Sequence, residues 1–378
     1  MSAPLRGVRV IDLTRLLPGP YACRVLAELG ADVVKVESPE GGDWTRHTPP
    51  LVGEVGALFL ELNVGKRSVA LDLKRELHRR VFLKLVESAD VLVDGNRPGV
   101  LERLGLAPEY LIALNPRLVY AAITGFGLTG PDRGRAGHDI GYSARAGVLS
   151  LTGHREAPMV PGVQVADVGA ALFALVGIQA ALVGRASTGR GGVVDVSLAE
   201  SAMAFGSLAF GALSGGVTPQ RGDEMLDGSR PCYTVYAAKD GRHLAVGALE
   251  PKFWMRFCEV IGEPELVLSG HDVGAQGQEV RRRVADRLLE RTRDEWMRSF
   301  SAADCCVEPV LELSEAKKDA QLVFREAFDR DHGFVRSAAR YGDRIALTKA
   351  PQLGEHTAEV LRELGFAERE VEEVIRGR

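Results

Sequence analysis

The sequence offers little to disulfide or metal chemistry. Its five cysteines (Cys23, Cys232, Cys258, Cys305 and Cys306) are an odd number without CxxC spacing, which argues against a disulfide framework and against a thiolate zinc site. They read as buried free thiols that pack as small hydrophobes. The eight histidines show neither HxxxH nor HxH spacing, so no metal is expected. No block of one charge stands out: 47 Lys and Arg against 51 Asp and Glu give a formal net charge of −4. Both signs are scattered, and no nucleic-acid surface is expected. No apolar run approaches the ~20 residues that span a bilayer, and MSAPLRGVRVIDL lacks the apolar core of a signal peptide. The reading is a cytoplasmic protein without a membrane partner. The first strand-to-helix turn is LLPGPY rather than GxGxxG, so an α/β fold here does not imply a dinucleotide or hydride transfer.

What is present fits a two-domain α/β protein. A chain of 378 residues with 46% hydrophobic residues exceeds the length at which one core stops growing. VRVIDLT (Val8 to Thr14), ADVVKVE (Ala31 to Glu37), ADVLVD (Ala89 to Asp94), RLVYAAITGFG (Arg117 to Gly127) and VVDVSL (Val193 to Leu198) read as strands. Helical stretches separate them, which predicts a mainly parallel sheet with its ligand site beyond the strands' carboxyl ends. VGAALFALVGIQAALVGR, from Val168 on, is apolar nearly all round and predicts a buried helix. VTPQRGDEMLDGSRP (Val217 to Pro231) is rich in turn residues and marks a boundary. Beyond it YTVYAAKDGRHLAVGAL reads as a hairpin turning at Asp240 and Gly241, followed by amphipathic helices to about Ala303. The expected organisation is a large Rossmann-like α/β domain over 1–215, completed by 325–378, a linker over 216–230 and a smaller α+β domain over 231–324.

Four strings carry a resemblance: NVGKRSVALDLK (Asn63 to Lys74), ADVLVDGNRPGVLERLGL, TGFGLTGP (Thr124 to Pro131) and TGRGGVVDVSLAESA. In this order they resemble blocks of the family III CoA transferases (CaiB/BaiF type) and their racemase relatives. The resemblance implies an interlocked homodimer and an acyl-CoA thioester as substrate, with no further cofactor. His138 in AGHDIGY, Asp167 in VADVGAA and Glu250 in GALEPKFW match the catalytic positions of the racemase branch. In the transferase branch the aspartate matching Asp167 is the nucleophile that forms an acyl anhydride, and an aromatic residue commonly stands in place of His138. The resemblance further implies that Arg97, Arg103, Lys74 and Tyr142 hold CoA, with Leu16, Leu71 and Asp139 along its path. VVKVESP departs from the pattern: Ser38 stands where related racemases can have an arginine.

The chemistry suits these residues. Inverting a 2-methylacyl thioester centre requires one group to take the α-proton and another to return one on the opposite face. Imidazole, with a reference pKa of about 6.5, and a carboxylate raised by burial from about 3.9 can each do either. The expected activity is therefore racemisation of 2-methylacyl-CoA through His138 and Asp167, with Glu250 as a helper and backbone amides near Gly137 to Ile140 meeting the enolate. The alternative is CoA transfer between carboxylic acids through Asp167. Plainer roles coexist with these: Asp167 as the N-cap of the apolar helix, Glu250 as a helix-start residue, Arg97 and Arg103 as surface charges.

Overall fold

The computed structural model describes residues 3–330 and 332–376. They divide into two compact units: Met1–Ala146, Val163–Phe205 and Phe324–Arg378 form one, Gly147–Gly162 and Gly206–Val323 the other.

The first unit is built on a sheet of six strands, β1 (Arg9–Leu13), β2 (Asp32–Glu37), β3 (Lys66–Ala70), β4 (Val91–Asp94), β5 (Val119–Thr124) and β6 (Gly192–Ser197). Every neighbouring pair is parallel, and the spatial order is β3-β2-β1-β4-β5-β6. That is the doubly wound order, in which the chain changes direction between β1 and β4 and leaves a crevice beyond the strand ends. Alternation of side chains sends Ile11, Leu13, Val34 and Val36 to one face. There they join Phe82 and Leu85 of helix Glu76–Glu87. Val360 and Leu361 of helix Thr357–Glu363 and Val371 and Val374 of helix Glu368–Arg376 complete this core. The C-terminal segment therefore belongs to the unit, as its alternation of apolar and charged residues suggested. The other face meets helix α1 (Pro18–Glu28), which begins on a proline and is followed by Gly30 at φ +98°, the usual helix punctuation.

Three further helices position the site: α2 (Val100–Arg103), α3 (Asp139–Arg145) and α4 (Val165–Thr188). Only one stripe of α4 is buried, with Ala166, Ala170, Ala174 and Ile178 among its residues. Leu172, Phe173, Val176 and Val183 are exposed, so the expectation of burial all round is corrected. Small alanines and Gly169 let α4 lie close, while several of its larger apolar side chains point away. With 24 residues and this composition, α4 is also long and apolar enough to cross a membrane, contrary to the absence of such a run expected from sequence. Its Arg185 is buried and bonded to Asp90 and to the carbonyl of Arg117.

The second unit holds an antiparallel sheet of β7 (Tyr233–Ala237), β8 (His243–Gly247) and β9 (Val307–Pro309). The hairpin turns over residues 238–242, with Gly241 at φ +74°. Its core is a run of stacked rings: Trp254 on Phe257 at 5.1 Å, Phe257 on Phe300 at 5.5 Å and Phe300 on Trp296 at 5.5 Å. Two expectations need correction here. The 216–230 segment is part of this unit rather than a linker, because Arg221 donates to the carbonyls of Ser150, His154 and Arg155. Asp227 also gathers the amides of Gly222, Glu224 and Ser229. Among the cysteines four are buried, but Cys306 is exposed, its backbone in the left-handed region at φ +57°. Burial, aided by Glu263 and Glu265, pushes the Cys258 thiol up to about 12, which leaves it unreactive.

If the C-terminal helices are part of the first unit's core, Leu361→Ala costs about 2–5 kcal/mol, as buried leucine truncations do. Urea unfolding measures this, and a loss below about 0.5 kcal/mol would mean the tail is only laid on the surface.

Candidate active site

A cavity of about 330 Å³ opens at the carboxyl ends of β1 to β4, where the doubly wound order predicts a ligand. Each strand-end loop contributes to its wall: Thr14 and Arg15 after β1, Ser38 after β2, Leu71 and Lys74 after β3, Asn96 after β4. Leu71 and Lys74 thus both line this cavity. Arg97 is next in the chain to Asn96, and Arg103 ends α2, whose Val100 and Leu101 line the cavity. Both arginines are exposed. Leu16 is exposed in a left-handed conformation at φ +67°, just outside the lining. Arg15 was missed by sequence reading, although its place directly after a strand ending in Thr14 was the available signal. Ser38, the departure from the racemase pattern, lies in the same wall as Arg15 and Lys74.

The second part of the site is the join between α3 and α4. His138 is the residue before α3, in an extended conformation at φ −132° and ψ 170°, and its carbonyl accepts from Gly141 and Tyr142. Its side chain makes no cap, leaving the ring exposed. Asp139, on the first helical turn, reaches across instead. Its Oδ1 accepts from the amides of Ala166 at 2.7 Å and Asp167 at 3.0 Å, closing the positive end of α4. This corrects two expectations. Asp167 is not the N-cap of α4, whose preceding residue is Gln164, and Asp139 is committed to capping. The exchange leaves the Asp167 carboxylate unused by the helix and sets it close to His138. Burial, then the neighbouring charge of Asp139, push the Asp167 carboxyl up to about 6, against the pull of His138.

Tyr142 ties the two parts together. Its ring is buried, meets Phe126 edge-on at 5.3 Å, and packs closely against two glycines. A Cβ at Gly125 would stand 2.7 Å from the ring and one at Gly137 2.6 Å, so only glycine admits the ring there. Burial and the charge of Asp167 raise the phenol's pKa, while Arg97 lowers it. Arg97 therefore acts electrostatically on the catalytic side from the loop that borders the cavity. Tyr142 therefore packs as a wall of the site.

Glu250 belongs to the second unit. It precedes helix Pro251–Ile261, offers its carbonyl to Phe253 and Trp254, and keeps an exposed side chain. The amides of Asp139 and Ile140, at the start of α3, have no acceptor among the described residues, as first-turn amides generally lack one.

Comparison with known proteins places the whole chain in one family. The family model for CoA-transferase family III matches residues 5–357. Alpha-methylacyl-CoA racemase of Mus musculus is 39% identical over 377 residues, covering 97% of this chain and 95% of that protein. Acetyl-CoA:oxalate CoA-transferase of Acetobacter aceti is 33% identical over 380 residues, covering 97% of each. Among solved structures, a CAIB/BAIF family protein from Brucella suis superposes with a TM-score of 0.84 at 32% identity, over 96% of this chain and 100% of that one.

The raised carboxyl has a consequence for stability. Because the folded value lies above the ordinary 3.8, the folded protein holds more protons than the unfolded chain between these values. Stability from this group therefore falls as pH rises from 3.8 to about 6. Asp167→Asn removes that penalty, and after allowance for partial exposure and the helix terminus it gains about 1 kcal/mol at pH 7. The gain disappears below pH 3.8, where both forms are neutral. Urea titrations at the two pH values measure it, and a variant less stable than wild type at pH 7 would contradict the raised carboxyl.

Proposed function

The chain belongs to CoA-transferase family III, and from that premise we propose that it is a 2-methylacyl-CoA racemase, working through His138 and Asp167. The observation that carries the reading is the Asp167 carboxyl, held up to about 6 beside His138. A carboxyl near neutrality exchanges protons readily in either direction, and His138 beside it offers the second group that inversion needs. In this reading the α-carbon binds between the two groups. One takes the α-proton, the electron pair moves into the thioester as an enolate, and the other returns a proton to the opposite face. The free amides of Asp139 and Ile140 suit the enolate oxygen, since fixed donors need no reorganisation as charge develops. The cavity at the strand ends suits the CoA nucleotide, with Lys74, Arg97 and Arg103 as its cations.

A transferase reading is supported by relatives such as acetyl-CoA:oxalate CoA-transferase, and it assigns Asp167 as the nucleophile. We also propose that the protein works as a homodimer. Leu172, Phe173, Val176 and Val183 of α4, with Met203 and Phe205 beyond it, are apolar and exposed on a single chain. A face of this kind is ordinarily covered.

His138→Ala separates the two chemistries. Under the racemase reading it lowers α-proton exchange by at least about a hundredfold, and hydroxylamine traps no acyl group on Asp167 in the wild type. Exchange retained in this variant would remove His138 from the proton transfer, and a hydroxamate on Asp167 would establish the transferase. Sedimentation at micromolar concentration is expected to give twice the 40.7 kDa chain mass, and a single-chain particle would contradict the dimer.

A further inference from the structure

The turn after β1 is held by charges that have no contact with solvent. Asp12 and Lys35 are register partners on β1 and β2, and with Lys66 of β3 they are 0%, 0% and 1% exposed. Lys66 Nζ is fully satisfied by Asp12 Oδ2 at 2.8 Å, Asn63 Oδ1 at 2.9 Å and the Pro20 carbonyl at 3.0 Å. Lys35 Nζ donates to the Thr14 carbonyl at 2.7 Å and pairs with Asp43 Oδ2 at 3.1 Å. Asp12 Oδ1 accepts from the Thr14 amide at 2.9 Å and from its hydroxyl. Asp43 Oδ1 accepts from Thr45, and from the Leu16 amide at 3.3 Å. Amide, carbonyl and hydroxyl of Thr14 and the amide of Leu16 are thus all gripped by one buried ion chain.

Buried ion pairs are weak devices for stability, because desolvation offsets their attraction; their better-attested use is to fix one geometry. Here the geometry is costly in itself, with Leu16 at φ +67°, a region a branched side chain rarely adopts. Between the two gripped residues stands Arg15, which lines the cavity and has no carboxylate partner among the described residues. Two carboxylates of the same wall are already neutralised, Glu37 by Arg46 at 2.6 Å and Asp43 by Lys35. Beside them the wall presents Arg15 and Lys74 together with Glu40 and Asp72, none of them in an ion pair among the described residues.

We propose that the Asp12–Lys35–Asp43 chain is a positioning clamp, which fixes the Thr14–Leu16 turn so that the Arg15 guanidinium meets an anionic group of the CoA nucleotide. This rests on reading the cavity as the acyl-CoA cleft. Arg15 is then a binding residue, and Lys35, Asp12 and Asp43 act through it.

The test is calorimetric titration with CoA itself, on wild type, Arg15→Ala, Asp43→Asn and the double variant. Asparagine keeps an oxygen for the Leu16 and Thr45 amides but turns a donor or a neutral atom towards Lys35. Each single change is expected to weaken CoA binding about tenfold, the scale of one charge-assisted bond. The double variant is expected to bind no more weakly than either single, since both remove the same contact. Losses that multiply in the double variant, or a single variant that binds as wild type does, would overturn the clamp. Should Asp43→Asn not fold, Thr14→Val takes its place, removing only the hydroxyl bond to Asp12, and the same non-additivity is required. A wild type that does not bind CoA overturns the reading of the cleft instead.

Discussion

One hydrogen-bonded carboxylate organises the catalytic side of this protein. Asp139 Oδ1 closes the amides of Ala166 and Asp167, and this join fixes the start of α4 against the start of α3. It helps to bring together His138 and Asp167, which stand on segments separated by the excursion of residues 147–162 into the second unit. A capping interaction contributes about 1 kcal/mol to a helix, a small sum for the placement of two proton-transfer groups. The same carboxylate also raises its neighbour, because its charge adds to burial in holding Asp167 near 6. One side chain thus contributes to both the geometry and, after burial, the acidity of the site.

Charge is managed differently at the two ends of the site. At Asp12 burial works against ionisation, but Lys35 and Lys66 outweigh it and hold the carboxyl below its ordinary range. At Asp167 no cation is close enough to do so, and the balance goes the other way. The first arrangement yields a fixed, fully ionised clamp under the cavity, the second a group able to gain and lose a proton. Placing the permanent charges beneath the nucleotide cleft and the labile one at the α3–α4 join is consistent with binding at one place and chemistry at another.

Much of the fold was legible because apolar β-branched runs mark strands: β1, β2, β4, β5 and β6 were all anticipated. β3 was not, as KRSVA opens with Lys, Arg and Ser; Lys66 is buried by a contact with Asp12 that lies 54 residues away in sequence. The same long-range pairing hid the importance of Lys35 and Asp43. In the site, His138 and Asp167 were visible only through their surroundings, and the capping role went to the wrong aspartate. Composition allows either residue to cap, and only the crossing of α3 and α4 decides. The exposed face of α4 was equally illegible, since an apolar helix reads alike whether its own chain or another covers it. The place of Tyr142 came only from the resemblance; that Gly125 and Gly137 make room for its ring was not legible in the sequence.

The central claim is that Asp167 and His138 pass protons at the α-carbon. Proton NMR of a single epimer of a 2-methylacyl-CoA incubated with the wild-type protein in deuterium oxide tests it most directly. The account predicts loss of the α-proton signal, collapse of the methyl doublet and appearance of the other epimer. An unexchanged α-proton, together with movement of CoA to an added carboxylate, would contradict it and make Asp167 a nucleophile.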